Sequence, residues 1–165
     1  YQNVLYSVHE SCKYPLDILI VSNKKMSIRT RIEDALLLYK NKRYEGAFLN
    51  TLVAVAATAR REDPARYLGD RECFETFLDK KWRGIIKVEF RGELHTIPHI
   101  FYKWFRCNLI HESELPIDVQ FIETDDMTVR SGGAPEYILK ISHGWIHWLI
   151  NSVTTAPCNT NEFKN

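Results

Sequence analysis

The spacing of apolar residues divides the chain into helical and extended stretches. Apolar side chains recur every three or four residues from Ser27 to about Tyr39. The same pattern returns from about Tyr44 to Arg61, after the basic break KNKR. This spacing places the apolar residues on one face of a helix. Two consecutive amphipathic helices joined by a short break predict an antiparallel helical hairpin.

Three later segments have the same helical periodicity. One runs over about 70–82, and Gly84 is its expected end. Another begins at Pro98, a residue suited to the first turn of a helix, and continues through HIFYKWFRCNLIH. The last covers about 144–155.

Strict alternation of apolar and polar residues predicts short strands between the helices. IIKVEFRGELHTI alternates around Arg91-Gly92, a pair that favours a tight hairpin turn. VQFIE, MTV and EYILKIS are further candidate strands, RSGGAP is a loop, and Leu16–Val21 is a candidate strand near the start. The predicted fold class is mainly α, a helical bundle with small antiparallel β-hairpin additions.

Length, charge and cysteine usage narrow the class of protein. A chain of 165 residues suits a single domain over 1–165, in which about 1–25 and 156–165 are expected to be peripheral or frayed. The net charge of +1 excludes a global basic field, so a local cluster must hold any anionic partner. The longest aliphatic run is too short to span a membrane. Four scattered cysteines without a C-x-x-C pair favour reduced thiols in the cytoplasm.

The stretch FRCNLIHE, residues 105–112, carries the strongest candidate chemistry. It places Arg106, Asn108, His111 and Glu112 at the end of an aromatic-rich helix. On an ideal helix, Asn108 and His111 lie about 60° apart, whereas Arg106 and His111 lie about 140° apart. If Arg106 and His111 serve one ligand, the helix is distorted or ending there, or two copies of the helix meet.

Arg106 and His111, separated by four residues, resemble the R-x(4–6)-H signature of the HEPN superfamily (higher eukaryotes and prokaryotes nucleotide-binding). RCNLIHE resembles an R-C-x-x-x-H-E variant of that signature, although many members have a polar residue where Cys107 stands. The upstream hairpin, including YEGAFLNTLVAVAATARR, is similar to the paired helices of that fold. The resemblance implies a HEPN-like homodimer that cleaves RNA without a metal or cofactor.

The resemblance also implies a role for each polar residue of the stretch. His111 is the general acid/base, and Arg106 stabilises charge on the phosphoryl oxygens. Asn108 orients His111 or the phosphate, and Glu112 fixes the imidazole tautomer or holds Arg106. A defence or toxin–antitoxin setting is implied as well, with an antitoxin protein as a further partner. Ser113 stands where one toxin branch carries a tyrosine that is nucleotidylated, so that form of silencing is not expected.

Two alternatives remain open at this stage. In a purely structural role, Arg106 pairs with Glu112 or Glu114, His111 caps the helix end, and Asn108 satisfies a backbone group. In the other alternative, the protein is a catalytically inactive HEPN-like module for RNA or protein binding and dimerisation.

Two histidine pairs have the spacing of metal ligands on a helix. His95 and His99 form one H-x-x-x-H, and His143 and His147 form another. Pro98 interrupts the first pair, and the second lacks the glutamate of an H-E-x-x-H motif. No metal site is therefore predicted.

Overall fold

The computed structural model describes residues 27–82, 84, 86–132 and 137–164, and the candidate strand at Leu16–Val21 lies outside them. The described part is mainly helical, as predicted, with two small sheets. The helices are α1 (Ile28–Lys40), α2 (Tyr44–Glu62), α3 (Asp70–Lys81), α4 (Ile97–Ile100), a π-helical segment (Phe101–Cys107), α5 (Asn108–His111), α6 (Trp145–Thr154), a 3-10 turn (Pro157–Asn159) and α7 (Thr160–Phe163). The strands are β1 (Lys87–Phe90), β2 (Glu93–Thr96), β3 (Val119–Ile122), β4 (Val129–Ser131) and β5 (Leu139–Ser142).

The helical hairpin of α1 and α2 forms as predicted. Ser27 is the N-cap of α1, and its hydroxyl accepts a hydrogen bond from the Thr30 N–H at 3.2 Å. A left-handed residue, Lys42 (φ 57°), turns the chain between the two helices. The apolar stripe of α2 is buried along its length, and this helix runs through the middle of the core.

Aromatic side chains fill the core where α2 meets the later elements. The Phe48 ring of α2 lies 5.5 Å from Phe101, 5.1 Å from Phe105 and 5.4 Å from Phe121 of β3, between ring centroids. Trp145 of α6 packs on Phe101 at 5.4 Å. The helix that carries the FRCNLIHE stretch is therefore anchored by the aromatic side chains on its inner face.

The predicted end of the third helix differs from the observed one. The helix stops at Lys81, and Trp82 is already extended (φ −98°, ψ 116°). Gly84 thus lies two residues beyond the cap and does not terminate the helix. The Trp82 ring packs on Trp145 at 5.2 Å, and Trp82 has left the helix before the glycine is reached.

The hairpin around Arg91-Gly92 is confirmed. Strands β1 and β2 pair antiparallel, with Phe90 opposite Glu93. Arg91 (φ 54°) and Gly92 (φ 79°) both adopt left-handed conformations, the pattern of a type I′ turn.

The second sheet is mixed, whereas the sequence predicts only antiparallel additions. Its strand order is β3-β5-β4, with β4 antiparallel to β5 and β3 parallel to β5. The two edge strands, β3 and β4, come first in the chain, and β5 then pairs between them as the central strand. The alternation of a short strand does not specify its direction, which is why the parallel pair was missed.

The C-terminal segment, predicted to be peripheral or frayed, packs against the helical hairpin. Asn159 is fully buried, and its amide donates to Thr58 Oγ1 at 2.9 Å and to the Val153 carbonyl at 3.0 Å. Glu162 accepts a hydrogen bond from the Arg29 N–H at the start of α1, at 2.9 Å. Specific hydrogen bonds hold a segment whose composition alone is typical of a loose tail.

Candidate active site

The candidate residues lie on one interrupted helix, residues 97–111, here called the motif helix. Its middle, Phe101–Cys107, is π-helical, and α5 completes it. π-helical turns leave backbone carbonyls without their usual partners, and they are frequent at functional sites. The Asn108 amide donates to the Lys103 carbonyl at 2.9 Å and to the Trp104 carbonyl at 3.1 Å. Asn108 thus satisfies backbone groups where the helix returns to α-geometry, as its structural alternative predicted.

Arg106 is half-buried and its charge is not neutralised by a described residue. The guanidinium lies over the Tyr102 ring, 5.3 Å from the centroid, in a cation–π contact. Its Nε is buried and has no hydrogen-bond acceptor among the described residues. The pairing with Glu112 or Glu114 that a structural role requires is not made in this part of the chain. A buried N–H without an acceptor is uncommon and calls for a ligand, water or partner group.

His111 ends α5 and is exposed. Its imidazole makes no hydrogen bond or ring contact with the described residues, so it does not cap the last carbonyls of the helix. Glu112 follows as the C-cap, and its carboxylate pairs with neither Arg106 nor His111. Ser113 then turns the chain away in a left-handed conformation (φ 61°).

Arg106 and His111 do not share a face of the motif helix. The π segment ends at Cys107, so four of the five steps from Arg106 to His111 are α-helical. The two side chains are therefore separated by roughly 125–140° around the axis. The distortion of the helix therefore does not bring them onto one face.

The outer surface of Trp104 is covered by an arginine that the sequence indicated only as a turn residue. The Arg91 guanidinium lies 4.3 Å from the Trp104 centroid and donates to both carboxylate oxygens of Asp118, at 2.7 and 2.6 Å. These hydrogen bonds hold the pKa of the Asp118 carboxyl below its usual value. The hairpin turn is thereby fastened to the motif helix.

A second polar cluster, also missed from the sequence, joins α1 to the mixed sheet. The Tyr39 hydroxyl donates to Asp125 Oδ1 at 2.7 Å and lies 3.0 Å from His143 Nδ1. Because a carboxylate only accepts, the Tyr39 oxygen accepts from His143, which places the imidazole proton on Nδ1. Burial, followed by the bond to Asp125, raises the pKa of the Tyr39 phenol. Tyr44 stacks on His143 with ring centroids 4.1 Å apart.

A sequence signal for this cluster was present but incomplete. The H-x-x-x-H spacing marks His143 and His147, and both rings contact Tyr39, at 5.5 and 4.6 Å. Tyr39 and Asp125 lie 86 residues apart in the chain, so no local pattern joins them.

The other histidine pair forms a separate stack. The His95 and His99 rings lie 5.0 Å apart and nearly parallel, and His99 Nδ1 is 2.9 Å from Glu75 Oε1. In the described ranges, no group of three or more His, Cys, Asp or Glu side chains is arranged to hold a metal ion. Cys73, Cys107 and Cys158 are free thiols.

Comparison with known families assigns the chain to one family. A family model described as Rv1289 matches residues 27–164, which is most of the chain. The chain belongs to the Rv1289 family. The match includes the motif helix, the Tyr39 cluster and the packed C-terminal segment of this Rv1289 family member. Neither the curated proteins nor the solved structures gave a match to it. No helix in the described ranges is long and apolar enough to cross a membrane.

Proposed function

We propose that this protein is a HEPN-like, metal-independent endoribonuclease that works as a homodimer. One observation carries the proposal. Arg106 and His111, the two residues of the R-x(4–6)-H resemblance, have no hydrogen-bonded or ionic partner among the described residues. Buried polar atoms usually find such partners, and the buried Arg106 Nε is an exception. Side chains without partners are available to a ligand.

The proposed reaction is transfer of the RNA phosphoryl group to the neighbouring ribose hydroxyl. The 2′-OH loses its proton and its oxygen bonds to phosphorus, while the bond from phosphorus to the 5′-oxygen breaks. The leaving oxygen takes up a proton. The products carry a 2′,3′-cyclic phosphate and a 5′-OH.

The reaction needs a group that transfers protons and a group that stabilises charge on the phosphoryl oxygens, and His111 and Arg106 fit these two needs. Imidazole is the side chain most often used for proton transfer in enzymes, and His111 is exposed to a substrate, so His111 serves as the acid/base group. A guanidinium is charged at all relevant pH values and has a planar set of donors suited to phosphoryl oxygens. Arg106 serves there, with the Tyr102 ring holding its orientation.

A two-fold assembly supplies both groups to one phosphate. Because Arg106 and His111 point away from each other on one helix, Arg106 of one subunit meets His111 of the other. Two apolar side chains next to the motif support an interface here. Ile110 is 40% exposed and Ile117 is 96% exposed, so both apolar surfaces are available for a second copy to cover.

Asn108 and Glu112 take secondary roles in this proposal. The Asn108 amide is engaged by backbone carbonyls, so it positions the helix that carries His111 and does not reach the phosphate itself. Glu112, exposed beside His111, is the group in reach to orient the imidazole once the subunits associate. The toxin–antitoxin setting and an antitoxin partner rest on the family resemblance alone.

Subunit complementation tests both the chemistry and the two-fold site. The parent protein is incubated with mixed RNA in excess chelator, alongside His111→Ala and Arg106→Ala. We expect His111→Ala to lose about 10²–10⁴-fold in rate and Arg106→Ala about 10²–10³-fold. When the two variants are mixed, half of the dimers are heterodimers with one intact site. About a quarter of the parent activity should then return.

Each contrary result has a separate meaning. Failure of the mixture to recover activity contradicts the shared site. Absence of cleavage by the parent contradicts the nuclease and leaves the inactive binding module, which RNA or protein binding without turnover would reveal. Arg130→Ala is the matched control, because Arg130 is an exposed arginine on β4, remote in sequence from the motif helix. It should retain full activity.

A further inference from the structure

The π-helical segment changes which residue lies in line with His111. A π-turn takes about 4.4 residues, whereas an α-turn takes 3.6. Four π-helical steps from Lys103 to Cys107 followed by four α-helical steps to His111 amount to roughly two full turns. On a regular α-helix the same eight residues would end about 80° out of line. Counted with ideal geometry, the π segment brings Lys103 close to the His111 face of the motif helix.

Lys103 is held in place without being neutralised. Its side chain is exposed, and Nζ lies 4.7 Å from the centroid of the Trp104 ring. Trp104 itself is 9% exposed and packs edge-on against Phe90 at 5.3 Å, so this aromatic support is fixed. No carboxylate pairs with the Lys103 ammonium in the described ranges.

The backbone at Lys103 is fixed by the same contacts that end the π segment. The Lys103 carbonyl accepts a hydrogen bond from Asn108 at 2.9 Å. Lys103 and His111 are therefore joined through one short, hydrogen-bonded piece of helix. They are separated by about 12 Å along the axis, which is the span of a few stacked nucleotides at about 3.4 Å each.

We propose that Lys103 binds a phosphate of the RNA strand that flanks the bond cleaved at His111 of the same subunit. This inference rests on the proposed function and names a substrate contact for it. Lys103 attracts the flanking phosphate equally in the ground and transition states, because that phosphate does not react. It therefore contributes to substrate binding and not to the chemical step.

The test separates binding from chemistry in the full-length protein. Cleavage of a single-stranded RNA oligonucleotide is compared for the parent, Lys103→Gln, Lys103→Arg and Lys87→Gln, an exposed lysine on β1. Lys103→Gln should raise KM about three- to tenfold while kcat stays within about twofold. In the His111→Ala background, Lys103→Gln should also reduce the slope of log affinity against log salt by about 0.7. Lys103→Arg and Lys87→Gln should resemble the parent.

The outcomes distinguish this inference from the proposal it rests on. If the parent cleaves RNA and Lys103→Gln behaves like Lys87→Gln, the phosphate contact is wrong and the nuclease stands. A fall in kcat with unchanged KM assigns Lys103 to the chemistry and also overturns the inference. If the parent neither cleaves nor binds RNA, both proposals fail.

Discussion

Within the described ranges, two polar side chains at the end of the motif helix lack hydrogen-bond partners, whereas those of the Tyr39 cluster have them. Arg106 and His111 have no hydrogen-bonded partner among the described residues, whereas Tyr39, Asp125 and His143 bond to one another. A partnered group stabilises the fold, because breaking it leaves a buried polar atom unsatisfied. A group without a partner does not stabilise the fold, and the buried Arg106 Nε even costs free energy, but such a group remains free to bind. This difference is why we propose recognition for the first region, whereas the contacts of the second region stabilise the fold.

Position in the fold explains this division. The Tyr39 cluster lies where α1, α2, the loop after β3 and the start of α6 meet, and His143 is only 5% exposed. A polar group there must be satisfied by the protein. His111 stands at an exposed helix end, where water satisfies it until a ligand arrives.

Gly144→Ala should give the largest loss of stability, about 3 kcal/mol. The added methyl group would displace the backbone of Asp125 and so disrupt the Tyr39 cluster. A Cβ at Gly144 would lie 2.1 Å from the Asp125 carbonyl oxygen, so the loop that presents Asp125 must move. Chemical denaturation measures the change. Gly69→Ala is the control, since a Cβ there meets nothing within 4 Å, and its effect should stay within about 1 kcal/mol. Equal losses for the two variants would contradict the steric argument.

Tyr39→Phe should cost about 1–3 kcal/mol in the free energy of unfolding, because it leaves the buried His143 Nδ1 without its partner. Tyr44→Phe is the matched control. It keeps the ring stacked on His143, and the Tyr44 hydroxyl makes no hydrogen bond to a described residue. A thermal melt that shifts by the same amount in both variants would show that ring packing, and not the hydroxyl, holds the cluster.

Asp118→Asn should give the smallest effect, below about 1 kcal/mol, because the Arg91–Asp118 pair beside the motif helix is partly exposed. The folded protein holds the pKa of Asp118 below its unfolded value near 3.9. The stabilisation is therefore present above about pH 4 and is lost as the pH falls through the lower folded pKa. Acid titration of stability should be shallower in Asp118→Asn. If the free energy of unfolding depends on acid pH in the same way in both proteins, the Arg91–Asp118 pair does not stabilise the fold.

Helix periodicity carried most of the fold that could be predicted. The limits of α2 were expected at Tyr44 and about Arg61, and the helix runs Tyr44–Glu62. The hairpin turn followed equally directly from Arg91-Gly92. Both are local features, in which side-chain spacing or backbone conformation is determined by neighbouring residues.

The features that escaped prediction depend on contacts distant in sequence. The parallel pairing of β3 with β5 and the burial of Asn159 against Thr58 have no local signal. For the candidate site, the sequence indicated Arg106 and His111 but not the π-helical phase that aligns Lys103 with His111. Phe101 and Phe105 of this segment pack on Phe48 of α2, a contact distant in sequence that residue types alone do not reveal.

The packed C-terminal segment has a consequence for how the molecule opens. Asn159 fastens it to α2 and α6, while Glu162 holds the first turn of α1. The first and last helices of the described chain, α1 and α7, are thus held together by hydrogen bonds. Fraying cannot begin at α7 without loosening the start of α1, so the two ends release as a single cooperative unit.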